Sequence, residues 1–312
     1  MELALKNQIR EASLQYINDK GLTQDVLAEK SKLNPSYISS ILNGKWEVMS
    51  TGNKVVPIAD KWFVQLADVV GVQVEKVFWK YFETKQSQGV KAWLNDAKDK
   101  GISRTIICNT RMGKTEAVNE FMHYRPKHTY LITVNSLMRL HDIINIMCNL
   151  LNIPLNNSKA MKLSAIIIKF RDIKRSGGNP MIIFDEGENM EYSVLKMIKG
   201  LYDGIEKYCG IVLIGTDQLI KTLERLRDSN KVAGPQLYYR LEPGFRRISN
   251  TVDFEPFYSE FVPDKGLRKL LNELCKNYGQ LNKYLEPALR EAYERGMECN
   301  EDFFRLMYNM PR

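Results

Sequence analysis

The residue types that can do chemistry in this chain fall in a few short runs. The first is Cys108-Asn-Thr-Arg-Met-Gly-Lys-Thr115. It follows an apolar β-branched run, Arg104–Cys108, and leads into a helical stretch from Glu116 to about His123. A strand, a loop ending Gly-Lys-Thr and a helix form a phosphate cradle, because N–H groups at the helix N-terminus face anionic oxygens. On this reading Asn109, Thr110, Arg111, Met112 and Gly113 wrap the phosphates of ATP. Lys114 reaches the β- and γ-phosphates, and the Thr115 hydroxyl coordinates Mg²⁺. The usual spacing, G-x-x-x-x-G-K-[ST], has a glycine where this chain has Cys108. Glycine there permits an unusual backbone angle, so the cysteine is expected to cost affinity or speed.

The second run is Met181-Ile-Ile-Phe-Asp185-Glu186, an apolar strand that ends in two carboxylates. Asp185 is the expected second holder of Mg²⁺, through its water shell, and Glu186 the general base that polarises the attacking water. The third is Ile211-Val-Leu-Ile-Gly-Thr216, in which Thr216 stands ready to hydrogen-bond the γ-phosphate or the water. Asn135, after the strand Thr129–Val134, is a lower-ranked candidate for that role. The fourth carries arginines: Arg240, then Arg246 and Arg247. A finger arginine from a neighbouring subunit stabilises charge on the transferring phosphate. Arg246 ranks first for it, then Arg247 and Arg240.

Elements must hold these groups together. Short apolar runs alternating with amphipathic stretches between residues 86 and 256 predict a parallel sheet with helices on both faces. Residues 1–85 read as helices with polar turns, and residues 257–312 as helix again. The polar segment Glu83–Gly89 reads as a linker. Residues 22–45 carry a helix-turn-helix pattern. Thr23 caps a first helix, Leu33 and Asn34 turn, Pro35 opens a second helix, and Asn43-Gly44 stops it. Ile38, Ile41 and Leu42 form the inner face of that second helix. Ser36, Tyr37, Ser39 and Ser40, with Lys45 beyond, face outward as short polar groups suited to DNA. Trp62, Phe63, Leu66, Val69 and Val70 read as core, and Phe78, Trp79 and Tyr81 as packing aromatics.

A further basic stretch holds Lys159, Lys162, Lys169, Arg171, Lys174 and Arg175, opposed only by Asp172. Such a stretch predicts salt-dependent, sequence-tolerant contact with a phosphate backbone. The whole chain agrees in sign, with a formal net charge of +8 over 312 residues. With 44% hydrophobic and 26% charged residues it reads as globular. The five cysteines make no C-x-x-C pair and the three histidines lie apart from them, which argues against zinc and a disulfide framework. No apolar run is long enough for a signal peptide or a membrane span, so a cytoplasmic protein without a membrane partner is expected.

The order of these parts resembles the phage Mu B transposition protein family, the AAA+ target-selection ATPases of transposition. The local matches are Ile38-Ser-Ser-Ile with Asn43, Gly113-Lys-Thr-Glu-Ala117, Ile182-Ile-Phe-Asp-Glu186 and Val212-Leu-Ile-Gly215. The resemblance implies an α/β AAA+ P-loop ATPase core with a parallel sheet, preceded by an all-α helix-turn-helix domain and followed by a small all-α lid. It implies ATP-dependent self-assembly as a ring or helical filament on double-stranded DNA, and stimulation of a partner transposase. The basic stretch would then lie near the central pore. In the tail, Gly279-Gln-Leu-Asn282 stands where a Gly-Ala-Leu-Arg motif would place a sensor 2 arginine, with Lys283 adjacent. Efficient hydrolysis is therefore less expected than ATP binding. A helicase-loader-like replication ATPase and a nucleotide-switched transcription regulator are the competing functions.

Overall fold

The computed structural model describes residues 3–49, 55–72, 77–229 and 233–311. They form two compact units, divided between Val77 and Phe78.

The first unit is α1 (Leu3–Lys20), α2 (Gln24–Ser31), α3 (Pro35–Leu42), an antiparallel pair β1 (Glu47–Met49) and β2 (Val55–Pro57), and α4 (Asp60–Val70). The turn between α2 and α3 follows from its residues. Lys32 takes a left-handed conformation (φ 51°) that ends α2. Asn34 then caps α3, its Oδ1 accepting the N–H of Ser36 at 2.9 Å, with Pro35 in the first turn. Ile38, Ile41 and Leu42 are buried against Leu27, Phe63 and Leu66. The helix-turn-helix is thus present as expected. The β1–β2 pair is not part of the expected all-helical pattern: three-residue strands are too short to show a period in sequence.

In the second unit, α5 (Lys85–Lys100) leads into β3 (Ser103–Ile107), α6 (Lys114–Tyr124), β4 (Thr129–Thr133), α7 (Leu140–Leu150) and α8 (Lys159–Arg175). Then come β5 (Met181–Asp185), α9 (Tyr192–Ile205), β6 (Gly210–Gly215), α10 (Asp217–Asp228), α11 (Gly234–Leu241) and β7 (Phe245–Arg247). Four helices close the chain: α12 (Glu255–Phe261), α13 (Lys265–Leu274), α14 (Tyr278–Glu294) and α15 (Glu301–Met307). The sheet runs β4-β5-β6-β3-β7, all parallel. Its strands alternate strictly between two cores. Ile107, Ile182, Phe184, Ile211 and Leu213 face one cluster with residues of α7 to α11. Ile106, Met181, Ile183, Val212 and Ile214 face the other, with α5, α6 and the C-terminal helices. Both faces of the parallel sheet are covered, which is why its strands read as continuous apolar runs.

Two expectations fail here. The segment 83–89 is no linker. Thr84 and Ser87 form a capping box that starts α5, so the polar residues are a helix N-terminus. The arginine segment contains a fifth strand. In β7, Phe245, Arg246 and Arg247 pair with Thr105, Ile106 and Ile107. Its three residues carry no apolar pattern because the ladder of its neighbour sets their conformation. Among the described residues no helix is long and apolar enough to cross a membrane.

Candidate nucleotide and nucleic-acid sites

The phosphate loop begins where β3 ends. The Cys108 N–H still donates to Gly215 O on β6 at 3.1 Å, after which the chain leaves the sheet. The left-handed backbone in this loop falls at Arg111 (φ 62°) and Gly113 (φ 81°), and Cys108 is outside that region. The expected penalty at Cys108 is therefore removed on the backbone side, since this loop asks for no glycine-only angle there. The cysteine is buried in the core, and burial pushes its thiol pKa up. Asn109, Thr110 and Arg111 are exposed and Met112 is buried. Lys114 is 6% exposed. Its Nζ donates to the carbonyl oxygens of Cys108 and Asn109, each at 3.1 Å, so the cation lies across the loop it closes.

Thr115 Oγ1 donates to Asp185 Oδ2 at 3.0 Å. Asp185 is fully buried, and its Oδ1 accepts the Glu186 N–H at 2.9 Å. A hydroxyl and a carboxylate in contact are hard oxygen donors, the set that suits Mg²⁺. The chain turns sharply at Glu186, which takes a left-handed conformation (φ 56°). Burial, then the charges of Glu188 and Asp185, raise the Glu186 pKa, with Lys114 opposing. A carboxylate held in this way binds a proton more readily than an exposed one. The Thr216 hydroxyl caps α10 by accepting the Gln218 N–H at 3.3 Å, which leaves its hydrogen to donate. Asn135 is exposed and its Oδ1 is engaged with the Leu137 N–H.

Three features of this site escaped the sequence reading. Glu188 Oε2 accepts the Thr216 N–H at 3.3 Å, and Asn189 Nδ2 donates to Val134 O at 3.0 Å. The run Asp185-Glu-Gly-Glu-Asn189 held that signal in its third carboxylate. A cavity of about 300 Å³ opens beside Gly113 and Glu116, bounded by Trp79, Phe82, Thr84 and Tyr278. Trp79 does pack, stacked on Phe257 with centroids 4.7 Å apart, but it is also a wall of this cavity. Finally, α14 begins against the phosphate loop. The Gly279 N–H donates to Arg111 O at 3.2 Å, and a Cβ on Gly279 would stand 2.8 Å from Arg111 Cβ. Asn282 on this helix donates to Glu286 at a long 3.5 Å, and it brings no charge.

The three arginines have different partners. Arg246 lies over the Trp93 ring at 4.6 Å and donates to the carbonyls of Phe245 and Pro243. Arg240 pairs with Asp203 at 2.8 Å. Arg247 is the most exposed of the three and pairs with Asp217 at the start of α10.

On α3, Ser36 and Ser39 are exposed and Ser40 is half-buried; Lys45, beyond the helix, is exposed. Tyr37 is half-buried against Trp62, with centroids 5.9 Å apart. The basic stretch proves to be α8, and it divides. Lys162 is buried and bonded to Asn145, Arg171 donates to Gly204 O and stacks on Tyr208, and Lys174 donates to Asn179. Lys159, Lys169 and Arg175 remain exposed, Arg175 beside Asp172 at 3.6 Å. Of the six cations expected to face phosphate, three are thus exposed, while Lys162, Arg171 and Lys174 have partners within the chain.

A family profile described as an AAA domain matches residues 102–223, from the start of β3 into α10. The structure is similar to Cdc6p from Pyrobaculum aerophilum, with a TM-score of 0.52 and 13% identity over 72% of this chain. That likeness spans 66% of the Cdc6p chain, just under two thirds. It is also similar to a Walker-type ATPase of Pyrococcus abyssi, with a TM-score of 0.51 and 16% identity over 74% of this chain and 71% of that one. At such identities the likeness is one of fold. No curated protein matches the chain in sequence.

Proposed function

We propose that this protein, an ATPase with an AAA+ core, assembles on double-stranded DNA when it binds ATP and delivers that DNA to a transposase. The observation that carries the proposal is the Thr115–Asp185 bond, which closes a phosphate loop on an acidic strand in a chain that also bears a helix-turn-helix. Residues 109–113 wrap the phosphates and Lys114 neutralises the β- and γ-oxygens. Thr115 and Asp185 hold Mg²⁺, which when bound offsets phosphate charge. Glu186 takes the proton of the attacking water, and the Thr216 hydroxyl orients that water or the γ-phosphate. The cavity beside Gly113 receives the base between Trp79 and Tyr278. A neighbouring subunit supplies the arginine finger from Arg246, Arg247 or Arg240.

The transposase partner and the target-delivery role rest on the resemblance to the phage Mu B family. The net charge of +8 and the exposed cations of α8 support a sequence-tolerant DNA contact. With no membrane-spanning helix among the described residues, the proposed compartment is the cytoplasm.

The test is DNA binding by fluorescence anisotropy with ATP, with ADP and without nucleotide, paired with electron microscopy of the ATP mixture. Tight binding only with ATP, to unrelated duplexes alike, with rings or filaments on the DNA, is the expected result. Binding to a single operator as a dimer, regardless of nucleotide, overturns it in favour of a transcription regulator.

A further inference from the structure

We infer that Glu188 is a positioning residue for hydrolysis, fixing Thr216 at the end of β6 relative to the general base at the end of β5. The inference rests on the ATPase reading and adds a residue to it. Its geometry begins with the short turn Gly187–Asn189 that follows β5. From this turn Glu188 Oε2 accepts the Thr216 N–H at 3.3 Å. One residue on, Asn189 Nδ2 donates to Val134 O, just past the end of β4, at 3.0 Å. Three adjacent strand ends, β4, β5 and β6, are thereby tied through one turn.

Two glycines make the approach possible. A Cβ on Gly215 would lie 2.5 Å from Glu188 Oε2 and 3.0 Å from Leu219. A Cβ on Gly187 would lie 3.0 Å from Leu219 and 3.2 Å from Ile214 O. The carboxylate occupies the volume that any side chain at 215 would need. Thr216 is held from two sides at this point: its side chain caps α10 and its N–H donates to Glu188. Moving Glu188 therefore moves the hydroxyl assigned above to orient the reacting water, while the phosphate loop, anchored on β3 and α6, stays in place. A misplacement of about 1 Å of such a group can cost 10²-fold in rate.

The experiment compares full-length Glu188→Ala and Glu188→Gln with the wild type and with Lys114→Ala. It reads kcat, the ATP dissociation constant and amide hydrogen exchange over residues 210–219. Glu188→Ala is expected to lower kcat roughly 10- to 100-fold, keep ATP affinity within about two-fold, and speed exchange in that segment. Glu188→Gln keeps an acceptor for the Thr216 N–H and is expected to restore most of the rate and the slow exchange. Unchanged kcat and exchange in Glu188→Ala overturn the inference. So does an affinity loss that matches the rate loss, or a glutamine variant as impaired as the alanine one. A wild type that does not hydrolyse ATP refutes the ATPase reading instead, and the exchange comparison still decides whether Glu188 holds Thr216.

Discussion

Thr115 donates its hydroxyl hydrogen to Asp185 across 3.0 Å, joining the first turn of α6 to the last residue of β5. Helix α6 follows β3, and β3 and β5 are not neighbours in the sheet; β6 lies between them. The site is thus built across three strands, and each of its supports can be removed singly.

Thr115→Val keeps the shape of the side chain and removes its oxygen. Mg²⁺ should then no longer strengthen ATP binding, while binding without Mg²⁺ changes little. Titration calorimetry with and without Mg²⁺ reads the difference. The variant also leaves one buried oxygen of Asp185 without its donor, at a cost of about 1–3 kcal/mol in unfolding free energy. A full Mg²⁺ effect in this variant removes Thr115 from the metal site.

Lys114→Ala should abolish ATP binding, because it removes the cation across the loop. Glu186→Gln should bind ATP and fail to turn it over, since an amide cannot serve as the base. Binding is read by equilibrium dialysis and turnover by phosphate release. A Glu186→Gln protein with undiminished turnover excludes Glu186 as the base.

The finger arginine should act between subunits. A Lys114→Ala subunit keeps its finger, so mixing it with a subunit lacking the finger should restore some ATPase activity. Arg247 is the most exposed candidate, whereas Arg246 is occupied by Trp93 and backbone carbonyls. Mixtures with Arg247→Ala, Arg246→Ala and Arg240→Ala identify which one complements. Failure of all three points to a site complete within one chain.

Replacing Lys159, Lys169 and Arg175 together by glutamine should weaken ATP-dependent DNA binding and flatten its salt dependence. Every phosphate charge left unpaired by the change lowers the slope of log affinity against log salt by roughly 0.9 for duplex DNA, so the limit is about 2.7 for the three. The same change at Lys162, Arg171 and Lys174 should leave the slope unaltered, because those side chains are engaged within the chain. Equal slopes for the first variant and the wild type move the DNA-binding surface off α8.

Lys98 makes stability depend on pH. Only 5% exposed, it donates to Lys127 O, Thr129 Oγ1 and Asn179 O. Burial first, and then Arg125, push its pKa down from 10.5 to about 8. The unfolded chain therefore binds the proton more tightly than the folded one. Below about pH 8 the buried charge lowers stability by a constant amount, and as pH rises from about 8 toward 10.5 that penalty is relieved. Wild type minus Lys98→Met, compared by denaturant unfolding at several pH values, should rise across that window by up to about 3 kcal/mol. A flat difference places the folded pKa at its ordinary value.

Much of the candidate nucleotide site was legible because its parts are local in sequence. A glycine, lysine and threonine at a helix start, and two carboxylates after an apolar run, carry their chemistry in adjacent residues. The four apolar strands were legible for a related reason: a parallel sheet buried on both faces needs uninterrupted apolar runs, and the observed bounds differ by a residue at most ends. The helix-turn-helix was written in the Thr23 cap, in the turn at Leu33 and Asn34 before Pro35, and in the spacing of Ile38, Ile41 and Leu42; that Asn34 also caps α3 came from the structure.

Tertiary structure decided what depends on distant partners. Whether Cys108 strains the loop was set by backbone angles that fall at Arg111 and Gly113 instead. Strand β7 exists through pairing with β3, and the polar segment before α5 became a helix start through the Thr84–Ser87 capping box. The charge of α8 was visible in sequence, but its availability was not, because Asn145, Gly204 and Asn179 claim half of it. Glu188 reaches Thr216 across 28 positions of sequence, and only the sheet that sets β5 beside β6 makes them neighbours.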